Sequence, residues 1–231
     1  MEKYCIFYSM ALEMLGRGRQ IGLNNAKGIY AFTKGDFENN ENFTSLIEDY
    51  LNGKISYEDA EDTLFNNLVK EFKTTGISDW TTIGAYIGSE NVFKLFSHLQ
   101  NDLKDKDYWT VLGECYVMSS FSHSNFSDII TFFQSKRSDR INIMTEEEKF
   151  EFDSLPDEIE IYRGCSENEI KSGNYRFSWT TKKSVAQFFA KRNKTKHGIK
   201  NLVVSRIIKK EEVFAYFNRR NEFEIIYIQN N

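Results

Sequence analysis

The chain has 231 residues, 40% hydrophobic and 15% aromatic, with a formal net charge of −4. That balance fits a globular core and excludes a disordered polyampholyte. No run reaches membrane-spanning length, Pro156 is the only proline, and Cys5, Cys115 and Cys165 are too scattered for a disulfide framework or a zinc site. The chain is accordingly read as a cytoplasmic protein with free thiols, no metal and no membrane partner. His98, His123 and His197 are equally isolated. The charge is segregated: residues 161–220 hold 15 Lys/Arg against 4 Asp/Glu, the rest 15 against 30. A basic block of that size is either a solvated face or an attractor of phosphates or nucleic acid.

Tyr4–Leu12 is an apolar stretch flanked by Glu2 and Glu13 with no small-residue cleavage site, so it reads as a core element and not a signal peptide. Ser56-Tyr-Glu-Asp59 resembles a capping box opening a helix, with Tyr57, Ala60, Leu64, Leu68 and Phe72 at helical spacing. Ser89 starts another, with Val92, Phe93, Phe96 and Leu99 on one stripe. Thr110–Phe121 reads as a helix or a buried strand, and Asp128–Ser135 as a helix. Glu146–Asp153 is acidic and closed by Pro156. Residues 1–155 are thus predicted to be a mainly helical region, part of or packed on the fold that follows.

Across residues 156–231 short β-type runs dominate: Ile159–Arg163, Tyr175–Thr180, Leu202–Ile208, Phe223–Ile228 and, more weakly, Val213–Phe217. One amphipathic helix, Lys183–Arg192, is predicted to bury Val185, Phe188 and Phe189. Gly164, Gly173 and Gly198 read as turns. Glu222 and Glu224 flank Phe223 at the mouth of the last strand. Alternation would send both carboxylates to one face, where they repel, so the pair calls for a chemical reason.

Three features follow one another: Tyr162-Arg163-Gly164, Ser178-Trp179-Thr180-Thr181 and Glu222-Phe223-Glu224. An arginine at a strand end can be a surface ion pair, and Ser-x-Thr before a helix can be an N-cap. Together, over residues 158–228, they resemble the mono-ADP-ribosyltransferases of the Arg–Ser–Glu type, the clostridial-toxin-like and phage-encoded enzymes with a Glu-x-Glu motif. The resemblance implies an α+β fold in which two small packed sheets form a split β-sandwich core around an NAD cleft.

It also implies roles. Arg163 would hold the dinucleotide phosphate through forked, charge-assisted bonds, and Gly164 would let the backbone approach the nicotinamide carboxamide. Ser178 and Thr180 would brace the nicotinamide-ribose pocket and Glu224, while Trp179, turned to the opposite face, departs from the family's wording without disturbing it. Phe188 or Phe189 stacks on nicotinamide or packs in the core. Arg192 belongs to a loop, Lys191–Lys200, that would close over the phosphates. Tyr216, Phe217, Arg219 and Arg220 would meet the acceptor. Glu224 would stabilise the oxocarbenium-like state, and Glu222 would orient or deprotonate the nucleophile.

Only 15 residues separate Arg163 from Ser178, so the resemblance places helices before the first strand and lets the N-terminal region complete the cleft. The implied activity is transfer of ADP-ribose from NAD to a protein arginine, which the Glu-x-Glu spacing favours, or to an RNA or DNA base. A toxin or phage effector, with an inhibitor or antitoxin partner, is the implied setting. The competing readings are a non-catalytic nucleic-acid-binding module and an inactive transferase-like interaction domain.

Overall fold

A computed structural model describes residues 2–33, 41–75, 87–89, 91–119, 126–197 and 201–229. The chain divides into two compact units, Met1–Arg137 and Ser138–Asn231. The first is helical: α1 (Glu2–Ile21), α2 (Leu23–Thr33), α3 (Glu41–Leu51), α4 (Tyr57–Thr75), α5 (Val92–Leu99), α6 (Asp105–Met118) and α7 (Phe126–Phe133). Thr110–Phe121 is therefore helical as far as Met118. Ser56 Oγ accepts the Asp59 N–H at 3.0 Å and caps α4. Ala60, Leu64 and Leu68 are fully buried on that helix, as their spacing predicts; the side chain of Phe72, and Phe121, lie outside the described residues. No described helix is long and apolar enough to cross a membrane. Cys115 and Cys165 are free and buried.

The second unit holds α8 (Glu146–Asp153), β1 (Glu158–Ser166), α9 (Glu167–Ser172), β2 (Ser178–Thr180), α10 (Lys183–His197), β3 (Asn201–Lys209), β4 (Ala215–Phe217) and β5 (Glu224–Ile226). The division falls earlier than the expected 155/156 boundary because the acidic stretch is helix α8, whose carboxylates bind β4 and the residues after it. Together the units make an α+β protein.

The strands form a five-stranded antiparallel sheet in the order β3-β1-β2-β5-β4. Two packed sheets were expected, but the described strands are continuous. The long β1–β3 ladder runs from Glu158↔Lys209 to Ser166↔Asn201, and the short ladders β2–β5 and β4–β5 join it at one pair, Tyr162↔Thr180. The last strand starts at Glu224, not Phe223, and β2 starts at Ser178, not Tyr175.

Helix α10 packs on β1 and differs from its prediction in two ways. Its buried residues are Ala186 and Ala190, while Val185 and Phe189 are half-buried and Phe188 is 60% exposed. The cause is Gly164, which lies inside β1 and is not a turn. A Cβ there would sit 2.4 Å from the Ala186 carbonyl oxygen and 2.7 Å from the Ala190 nitrogen, so strand and helix backbone touch only because glycine and alanine meet. The contact that the resemblance gives to nicotinamide is taken by a helix. Secondly, α10 continues to His197, so most of the expected Lys191–Lys200 loop is helix; Gly198 to Lys200 lie outside the described residues. Gly173 is a turn glycine as predicted, capping α9 at φ 69°.

Candidate active site

Arg163 lies mid-strand in β1 with its side chain 13% exposed. Its Nε and Nη2 donate to Glu169 Oε1 at 3.2 and 2.7 Å, and its Nη1 donates to the Ser178 carbonyl at 2.7 Å. Glu169 is fixed in turn, because its second oxygen closes a capping box on Ser166 N at 3.0 Å. Burial would raise the Glu169 pKa, but the Arg163 charge and hydrogen bonds, the Ser166 N–H and Arg176 outweigh it and hold it below the ordinary value.

Ser178 continues the chain. Its hydroxyl donates a short hydrogen bond to Glu224 Oε1, reaching diagonally across β2–β5, where Ser178 itself opposes Ile226. Residues 163, 178 and 224 are thus joined in one connected path: guanidinium to carbonyl, hydroxyl to carboxylate. Glu224 is 4% exposed, and its Oε2 accepts from Arg220 Nη2 at 3.0 Å. A carboxyl group so deep needs partners for its oxygens, and Ser178 and Arg220 supply them.

The path to Glu222 is not strand alternation. Glu222 precedes β5, and Phe223 takes φ 48°, a left-handed turn that breaks the expected i, i+2 geometry; Asn221 takes φ 55°. The carboxylates nevertheless converge, because Arg220 Nη2 lies 3.1 Å from Glu222 Oε2 as well as 3.0 Å from Glu224. Burial, together with the Glu224 charge, raises the Glu222 pKa against the opposing pull of Arg220 and Arg192. Arg192, exposed on α10, therefore bears electrostatically on Glu222.

The loop from Asn218 to Phe223 is tied down backbone group by backbone group. Thr180 Oγ1 donates to the Glu222 carbonyl at 2.7 Å, Thr181 N donates to the Phe223 carbonyl at 3.0 Å, and Phe223 N donates to Asn218 Oδ1 at 3.2 Å. Lys182 Nζ sits 5.0 Å over the Phe223 ring. The bracing expected of Ser178 and Thr180 is therefore divided: Ser178 holds the carboxylate, while Thr180, together with Thr181, holds the loop. Trp179 does face the other way, edge-on to Tyr175 and Tyr227 with Arg206 5.8 Å from its ring.

Three of the four residues expected to meet the acceptor are buried or paired within the fold. Tyr216 and Phe217 are each 2% exposed on β4, and the Tyr216 hydroxyl is bound to Glu151 at 2.8 Å. Arg219 is held by Glu148, whose side chain is 3% exposed, at 3.1 Å. All three are spent on packing because β4 is backed by α8. Arg220 alone of the four points into the glutamate pair. Of the basic block, Arg163, Arg219 and Arg220 are committed to internal carboxylates, so the block is not simply a phosphate-binding face.

Sequence reasoning missed Glu169, Glu148 and Asn218. Each glutamate sits at the fourth place of a Ser/Thr-x-x-Glu capping box, Ser166–Glu169 and Thr145–Glu148. In both, one oxygen caps the helix and the other reaches the site region: Glu169 to Arg163, Glu148 to Asn218 N at 2.9 Å and to Arg219. The capping motif was readable in the sequence; the second use of its carboxylate was not. Among the described residues, no group of three His, Cys, Asp or Glu is placed to hold a metal ion. No protein-family model, no curated protein and no solved structure matches the chain.

Proposed function

We propose that the chain is an NAD-dependent mono-ADP-ribosyltransferase acting on a guanidinium acceptor, as the resemblance of Arg163, Ser178, Glu222 and Glu224 implies. The observation that carries this reading is the unbroken path Arg163–Ser178–Glu224, closed on its far side by Arg220 and Glu222. On this reading the β1–β3 and β2–β5–β4 ladders, which meet at the one pair Tyr162↔Thr180, would correspond to the two sheets of a split-β transferase core.

Cleavage of the nicotinamide–ribose bond passes through an oxocarbenium-like state, and the leaving group is already cationic, so no general acid is needed to expel it. Glu224, held by Ser178, is preorganised to bind the ribose 2′-hydroxyl and to stabilise positive charge as it develops. A fixed charge of that kind is worth about 3–4 kcal/mol, or 10²–10³ in rate. Glu222, with its raised pKa, suits the task of orienting the nucleophile and taking its proton. Arg163 makes three of its N–H bonds within the fold, and its remaining donors would face a phosphate. Phe188, exposed on α10, is the aromatic face available for nicotinamide.

The deciding assay measures nicotinamide release from labelled NAD, with label transfer to lysate protein and to total RNA followed separately. Release that falls at least about 10²-fold in Glu224→Gln supports the reading. Label on RNA would keep the enzyme class and replace the guanidinium acceptor. Absence of release would remove the transferase reading and leave the nucleic-acid-binding module or the inactive interaction domain.

A further inference from the structure

We propose that Arg220 is a self-modification site, to which the chain transfers ADP-ribose in cis. The inference rests on the transferase reading and adds to it a specific acceptor. Its ground is a single nitrogen: Arg220 Nη2 lies 3.0 Å from Glu224 Oε2 and 3.1 Å from Glu222 Oε2. A guanidinium nitrogen thus already sits between the carboxylate that stabilises the cation and the carboxylate that orients the nucleophile. No other arginine of this loop can do so, since Arg219 is turned away onto Glu148.

The loop holds Arg220 in that place. Asn221 and Phe223 take left-handed φ of 55° and 48° between Arg220 and Glu224, and the bonds from Asn218, Thr180 and Thr181 fix that path. The Arg220 side chain is 34% exposed against 6% for Glu224, so the guanidinium forms the outer wall over the buried carboxylate. A dinucleotide whose ribose reached Glu224 would lie against this nitrogen, with the reactants held at intramolecular proximity.

In the step itself Nη2 bonds to the anomeric carbon of the nicotinamide ribose as the bond from that carbon to nicotinamide breaks. The electron pair of the broken bond leaves with nicotinamide, which becomes neutral. The guanidinium proton passes to the Glu222 carboxylate and then to solvent. One NAD is consumed, and one nicotinamide and one proton are released. ADP-ribose remains as an N-glycoside on Arg220. The product can no longer make the same bridge to both glutamates, and its bulk covers them, so the reaction limits itself to one turnover per chain at this site.

The test incubates the full chain with labelled NAD and no added acceptor, measures nicotinamide release in parallel, and maps the label by tandem mass spectrometry. The expected result is label on Arg220 at a rate independent of protein concentration. Glu222→Gln should lower it by about 10²-fold or more, a larger loss than it causes in nicotinamide release. Label on another residue, or a rate that scales with protein concentration, overturns the inference. An unmodified Arg220 peptide alongside Glu224-dependent nicotinamide release overturns it while leaving the transferase reading intact. No nicotinamide release from the unmodified sequence removes both.

Discussion

Replacing Glu148 by glutamine should unfasten the loop that carries Arg220 and Glu222 without touching either. Glu148 Oε1 accepts the Asn218 N–H at 2.9 Å and Arg219 Nε at 3.1 Å, and Oε2 accepts the Thr145 N–H at 2.9 Å. Glutamine keeps the shape and one carbonyl oxygen, but its NH₂ group would face the N–H of Thr145, donor against donor, and Arg219 would lose its counter-charge. A hydrogen bond to a charged group contributes about 1.5–3 kcal/mol, and removing one partner of a buried ion pair costs about 3–5 kcal/mol. Because Arg219 remains 21% exposed and the isostere retains part of the network, the lower figure applies, about 3 kcal/mol. The loop has little to spare against this loss, since left-handed Phe223 stores on the order of 1–3 kcal/mol of strain, whereas Asn221 adopts that region readily. With a urea slope of about 2 kcal/mol per molar, the midpoint of the second unit should fall by roughly 1.5 M. Hydrogen exchange at the Asn218 and Phe223 amides should accelerate alongside it. Glu147→Gln, on the exposed side of α8, should stay within about 0.5 kcal/mol of the parent. Equal shifts for the two variants, or unchanged exchange at Asn218, would refute the claim that α8 holds the loop.

Gly164→Ala should destabilise by about 1–3 kcal/mol, measured as a lowered thermal midpoint, because its Cβ meets helix backbone at 2.4 Å and not a side chain able to move. Phe188→Ala should leave stability within about 0.5 kcal/mol, since the ring is exposed, while the proposed transferase reading expects it to raise the apparent KM for NAD; a large stability loss would place the ring in the core instead. Glu169→Gln tests the electrostatics of Arg163. The folded-state pKa of Glu169 is depressed, so its stabilisation is fully present above the ordinary glutamate value of about 4.3 and is lost as pH falls through the lowered value. The variant should therefore lower the urea midpoint at neutral pH and converge with the parent in acid, and a difference independent of pH would contradict that account.

Much of the candidate site was legible because it resides in residue types and their order. Arg163, Ser178 and Glu224 are found in one connected path, and the helical first unit follows from the 3.6-residue spacing of Ala60, Leu64 and Leu68. The surroundings of the expected acceptor residues were not legible, for a different reason. Tyr216 and Phe217 end an apolar run that passes directly into the basic stretch with Arg219, and only the docking of α8 against β4 shows that the rings are buried and Arg219 is paired.

The sequence by itself determined the local signals: the capping boxes at Thr145 and Ser166, the glycine capping α9, the alternation that turns Trp179 from Ser178, and the presence of two glutamates around Phe223. These depend on a few neighbouring residues and on backbone sterics. Only the tertiary structure decided how the glutamates meet. A strand would have aligned them by alternation; instead a left-handed Phe223, held by Asn218 and Thr181, turns the chain, and Arg220 draws both carboxylates to one nitrogen. That outcome required bonds between residues scores of positions apart, such as Glu148 to Asn218, and the strength of such bonds depends on burial that no local window contains.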